Sequence, residues 1–176
     1  MPEEIIKDEN GSNCGYVIIK VAEKGQPKYG AIQMPTKLFI ENLHALEEDS
    51  HKLTEKSILL VDLVYANYIY DRIKKIMYMV DPGKYCTCES CKDEFYIKEN
   101  QNSLNKLIEK ILFFDLYAIN HFSVINKEKA KLIVKKLQCE YTKYSLAISE
   151  YLESELIHGN YSTPEEYLLE RARYLA

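Results

Sequence analysis

A chain of 176 residues, 47% apolar and 28% charged, is long enough to bury one core and too short for two ordinary domains, and its composition is globular rather than disordered. The formal net charge of −4 excludes a protein whose main work is coating nucleic acid, because neutralising phosphates needs a surplus of clustered Lys and Arg. The start is acidic and polar, unlike a secretory leader, and the longest apolar run, residues 58–70, is broken by Asp62 and Asn67 and falls short of the roughly 20 residues that cross a bilayer, so the chain reads as cytoplasmic with no membrane partner.

In chain order, residues 1–14 carry no hydrophobic period and are expected to be a flexible lead-in to a single α-rich domain, residues 15–176. Residues 15–34 read as a β-hairpin. Its strands are the β-branched stretch 16–22 and residues 29–34, joined by Lys24-Gly25-Gln26-Pro27. After Pro35 the period becomes helical, with Thr36 as N-cap and Leu38, Phe39, Leu43 and Leu46 on one face. Residues 54–80 are apolar nearly all round and are expected to form the central helix.

Asp81-Pro82-Gly83 ends that stretch, and a cysteine-bearing loop is expected over residues 81–102. Ser103 can cap a third helix carrying Leu104, Leu107, Ile108, Ile111, Leu112 and Leu116. Residues 127–158 form a further periodic stretch, with Asn126 before it and Gly159 after it as start and stop signals. Thr163-Pro164-Glu165-Glu166 then offers an N-cap, Pro at the first helical position and Glu at the capping-box position of a terminal helix, residues 164–175. The fold class is mainly α: about five helices, a small N-terminal hairpin and a metal-stapled loop.

The pointed chemical feature is three thiols in six residues, Cys86, Cys88 and Cys91. A Cys-x2-Cys turn aims two sulfurs at one tetrahedral ion, and zinc is the default ion for thiolate-rich structural sites in a reducing compartment. A closed site needs a fourth ligand. Cys139, which would tie the loop to the long helix, is placed first, ahead of Cys14, His121, His44 and His51. The odd total of five cysteines argues against a disulfide framework. No His pair follows at zinc-finger spacing, and no His-Glu-x-x-His or His-x-Glu pattern accompanies the cysteines, so the expected role is structural.

Asp62 and Asp115 lie inside apolar helical stretches, where a carboxylate destabilises unless paired. With His121 they could make an acid–base site. The plainer reading puts each on an outward stripe or against a Tyr hydroxyl. His44 and His51 read as surface residues. No phosphate-binding Gly loop or nucleophile elbow is present. Fifteen Tyr against five Phe and no Trp suit half-buried edges and interfaces alike.

The stretch Gly159-Asn-Tyr161-Ser-Thr163-Pro-Glu165-Glu166, followed by Tyr167-Leu168-Leu169 and preceded by Ile148, Tyr151, Leu152 and Leu156, resembles the helix junction of ParD-type ribbon–helix–helix antitoxins. The resemblance covers residues 142–176. It implies a DNA-binding homodimer with a ribbon strand near residues 136–145 that turns Lys136 and Lys143 towards DNA. The leading expectation from the residues themselves is different: a non-enzymatic regulator or inhibitor that binds another protein. The DNA-binding regulator is the second reading, and a helical enzyme using Asp62, Asp115 and His121 the third.

Overall fold

A helix over the apolar period that follows Pro35 opens the bundle: α1 spans Thr36–Glu55 in this computed structural model, which describes residues 4–7, 9–11, 13–17, 30–61, 68–80, 85–87, 92–122, 127–141 and 148–175. Thr36 does not cap α1 with its own side chain. Its hydroxyl donates to the Tyr161 carbonyl at 2.6 Å and its N–H to the Ser162 carbonyl at 2.9 Å, fastening the start of α1 to a turn 125 residues away. The far end stops at Ser57, left-handed at φ 54°, where Ser57 N–H reaches the Thr54 carbonyl and Ile58 N–H the Leu53 carbonyl, the paired bonds of a Schellman ending.

The expected helix over residues 54–80 is not formed. After α1, Leu59 and Cys86 make an isolated antiparallel bridge, and β1 (Tyr68–Asp71) pairs with β2 (Ile76–Met79), Tyr68 opposite Met79 and Asp71 opposite Ile76. Both strands are rich in aromatic and β-branched or flexible apolar residues. Asp71 accepts hydrogen bonds from Ile73 N–H at 2.9 Å and Lys74 N–H at 3.0 Å, an Asx-type turn that competes with helix. An all-round apolar run does not distinguish a buried helix from a buried hairpin, and here the turn chemistry decides.

The N-terminal hairpin also sits elsewhere than expected. Antiparallel strands Glu4–Lys7 and Asn13–Val17 pair with a register shift between Ile6 and Lys7, around a turn in which Gly11 has φ 78°. Asn10-Gly11 is a strong hairpin signal, and it falls within the residues expected to be flexible. Residues 18–29, which include most of the first expected strand, lie outside the described residues. The second expected strand is instead a 3-10 turn, Ala31–Gln33.

The central element is α2, Asp93–Phe122. It begins ten residues before Ser103, inside the expected cysteine loop, with Asp93 and Glu94 in its first turn where they favour the positive end of the helix dipole. Leu104, Leu107, Ile108, Ile111, Leu112 and Leu116 are all buried, each contributing about 1.5–3 kcal/mol of transfer free energy. Against α2 pack α1, the 3-10 turn, α3 (Lys127–Tyr141) and α4 (Ile148–His158). The single stretch expected over residues 127–158 is therefore two helices. A straight helix of that length would run about 48 Å past the bundle, whereas two helices let α3 pack on α2 and α4 on α1 and α2.

Gly159 follows α4 as the stop signal suggests, but the left-handed residue is Asn160, at φ 54°. Tyr161 N–H then reaches the Leu156 carbonyl at 3.2 Å, and a Cβ on Gly159 would fall 2.1 Å from the Tyr161 ring that folds back over it. α5 spans Pro164–Leu175 with the expected cap: Glu166 N–H donates to Thr163 Oγ1 at 3.2 Å, and Glu166 Oε2 accepts from Ser162 N–H at 2.8 Å. Among the described residues the fold is thus mainly helical, with five α-helices, and no helix is long and apolar enough to cross a membrane.

Candidate functional site: an aromatic groove between two helices

Among the described residues, those singled out from the sequence are not gathered into one site. Cys86 is exposed beside Leu59, whose N–H donates to the Cys86 carbonyl at 2.7 Å, and Cys139 is exposed on α3. Cys88 and Cys91 lie outside the described residues, and among the described residues no three potential metal ligands come together. The staple of the loop that is visible is this backbone bridge. Asp62 lies outside the described residues, as does the side chain of His121, which falls in α2. His44 and His51 are exposed on α1, and His44 Nε2 lies 3.0 Å from Glu153 of α4.

Asp115 is neither on an outward stripe nor an available base. It is fully buried in α2, and its Oδ2 accepts hydrogen bonds from Gly30 N–H at 2.9 Å and Ala31 N–H at 2.8 Å. Those N–H groups open the 3-10 turn, so a carboxylate there satisfies donors that would otherwise be orphaned. Gly30 is left-handed at φ 108°, and the Arg72 guanidinium lies where its Cβ would be. The sequence signal, a carboxylate inside an apolar helix, was visible; its partners, 84 and 85 residues away, were not.

Two buried asparagines do similar work. Asn100 accepts from Leu60 N–H at 2.7 Å and donates to the Ile58 carbonyl at 2.9 Å and to Thr54 Oγ1 at 2.8 Å, which binds the end of α1 to α2. Asn42 accepts from Met77 N–H at 2.7 Å and donates to the Lys75 carbonyl at 3.1 Å, which docks the β1–β2 hairpin on α1.

Under α5 the tyrosines cluster. Tyr141 meets Phe113 and Tyr151 edge to face at ring separations of 5.2 and 5.6 Å. The Tyr151 and Tyr167 hydroxyls lie 3.3 Å apart, and Tyr167 donates to Glu155 at 3.3 Å. Burial pushes the Tyr141 and Tyr167 phenols far above their ordinary range; the neighbouring Tyr141 raises Tyr167 further, whereas the bond from Tyr167 partly offsets the rise at Tyr141. These rings are core, not nucleophiles.

Among the described residues a groove of about 280 Å³ lies open between α2 and α3. Lys110, Phe113, Phe114 and Tyr117 line one wall at helical spacing, and Val134 and Gln138, one turn apart, line the other. Phe113 is buried, whereas its neighbour Phe114 is 46% exposed. Leu132 on α3 is 61% exposed. The signal for this groove is in the α2 sequence: once Leu104, Leu107, Ile108, Ile111, Leu112 and Leu116 fill the core stripe, Phe114 and Tyr117 are apolar surplus on another face. No family model, curated protein or solved structure matches the chain.

Proposed function

We propose that the protein acts without catalysis, as a regulator or inhibitor that binds another protein through the α2–α3 groove. The occupant is an amphipathic helix whose apolar anchors, three and four residues apart, enter between the two helices, a recurring mode of groove recognition. The observation that carries this reading is the exposed Phe114 ring above a groove floored by Phe113 and walled by Val134 and Tyr117. Aromatic anchors dominate interface energies. Lys110 lines the groove and is exposed, so the partner helix is acidic where it meets it.

The test is photo-crosslinking from p-benzoylphenylalanine placed at position 114 in cells, followed by titration of the purified crosslinked partner. A loss of at least about tenfold in affinity for Phe114→Glu, with an unchanged melting transition, is expected for a central hot spot. Equal affinity of wild type and Phe114→Glu for that partner would overturn the reading.

The thiol cluster is proposed as a structural zinc knuckle with Cys86, Cys88 and Cys91 as ligands and Cys139 as the fourth, a reading supported by the Cys-x2-Cys spacing and the thiolate donor set. About one zinc per chain after purification without chelator is expected for a closed site, lost in Cys88→Ser, Cys91→Ser protein. Background zinc in the wild type removes it. For the DNA-binding reading, Lys136 falls within helix α3, which continues to Tyr141, and Lys143 lies outside the described residues. That helix occupies part of the span the ribbon strand requires, which is why protein binding is preferred.

A further inference from the structure

We propose that the turn joining β1 to β2 is a contact for an anionic phospholipid surface, a role separate from the α2–α3 groove. Five consecutive residues, Arg72-Ile73-Lys74-Lys75-Ile76, are all exposed, with Ile73 at 79% and Ile76 at 38%. Two aliphatic side chains thus flank two lysines, while the Arg72 guanidinium folds back against Gly30. Asp71, the carboxylate next to the turn in sequence, is buried and turned inward onto Ile73 N–H and Lys74 N–H, so residues 72–76 themselves carry positive charge alone. Glu41, next to Asn42 on α1, is within 4.0 Å of Lys37.

The backbone of the apex decides between classes of partner. Ile73 N–H and Lys74 N–H are bonded to Asp71, the Lys75 carbonyl to Asn42 Nδ2 and Met77 N–H to Asn42 Oδ1. A turn laid into the headgroup region loses water, and backbone groups already bonded within the protein remove most of that desolvation penalty. Lys side chains extend their charge to phosphates while their stems and the isoleucines rest on the acyl boundary. Nucleic acid fits less well. Single-strand binding uses aromatic faces for stacking, whereas this apex sets two aliphatic side chains beside its lysines, and the backbone N–H groups of Ile73 and Lys74, which could have joined them in holding a phosphate, are bonded to Asp71. An acidic protein surface shares the charge but needs a socket for two isoleucines standing on opposite sides of a lysine pair.

Flotation of the full chain with phosphatidylcholine vesicles, with and without one-third phosphatidylserine, tests this directly. Binding to the anionic vesicles alone, abolished at high salt, is expected. Lys74→Ser with Lys75→Asn, the latter chosen because Lys75 is left-handed at φ 55°, removes two cations and is expected to weaken partitioning about twentyfold. Ile73→Ser leaves the charge intact and is expected to weaken it about fivefold. Thermal melts establish that both variants fold. Failure to bind anionic vesicles at low salt, equal binding to neutral vesicles, or binding that neither variant alters would each overturn the proposal. A duplex DNA shift lost in the same variants, without vesicle binding, would assign the apex to nucleic acid instead.

Discussion

The carboxylate of Asp115 grips the backbone N–H of Gly30 from 85 residues away, and it does so from a fully buried position on α2. Replacing it with Ala strands two buried donors, and since hydrogen bonds to charged groups contribute about 1.5–3 kcal/mol each, a loss of roughly 3–5 kcal/mol is expected. Asp115→Asn keeps an acceptor oxygen and should lose about half as much. Urea titrations monitored by far-UV circular dichroism measure both. Equal stability of wild type and Asp115→Ala would remove Asp115 as the anchor of the 3-10 turn.

Asn100 carries three bonds at the junction of α1 and α2. Asn100→Leu fills the same volume but leaves Leu60 N–H and the Ile58 carbonyl without their partner, at a cost of about 2–4 kcal/mol. Amide hydrogen exchange at Leu60 should accelerate along with the global loss. Unchanged exchange there would mean that another group satisfies the donor.

Phe113 and Phe114, adjacent in sequence, should separate cleanly. Phe113→Ala opens a cavity against Tyr141 and is expected to cost about 3–5 kcal/mol. Phe114→Ala on the groove rim should stay within about 1 kcal/mol of wild type, since part of its ring is already in water. A similar loss for both would place Phe114 in the core.

Burial raises the Tyr141 and Tyr167 phenols above the ordinary value near 10. Their protonated forms are neutral, so the folded state holds these protons more tightly than the unfolded state does. The resulting stability is complete below about pH 10, the unfolded value, and declines as pH rises beyond it, by up to about 1.4 kcal/mol per pH unit for each tyrosine. Melting temperature followed from pH 9 to pH 11 should fall less steeply in a Tyr141→Phe, Tyr167→Phe protein. Parallel slopes would show that other groups govern the alkaline transition.

Several elements were legible locally because their causes are local. The α5 cap needs only Thr163, Pro164 and Glu166, and the core stripe of α2 needs only its i, i+3, i+4 spacing. The hairpin at residues 68–79 is not distinguishable from a helix by local pattern, because Tyr68, Tyr70, Met77 and Met79 are apolar under either period. The helical start at Asp93 lies two residues after Cys91, where the acidic pair Asp93-Glu94 is a weaker local signal than the Ser103 cap. The candidate groove was half legible: Phe114 and Tyr117 are apolar surplus on α2, but Val134 and Gln138 face them only once α3 has turned back.

By itself the sequence determined that the chain is mainly helical, where α1 and α5 begin, and which α2 residues form the core, since those follow from spacing, caps and the burial of apolar side chains. Only the tertiary structure decided what the polar residues in apolar stretches are for. Asp115, Asn100 and Asn42 bond to backbone groups dozens of residues away, and a buried hydrogen bond across such a separation leaves no trace in local periodicity. The same holds for the surface: the turn between β1 and β2 is exposed while Asn42, on α1, holds its base.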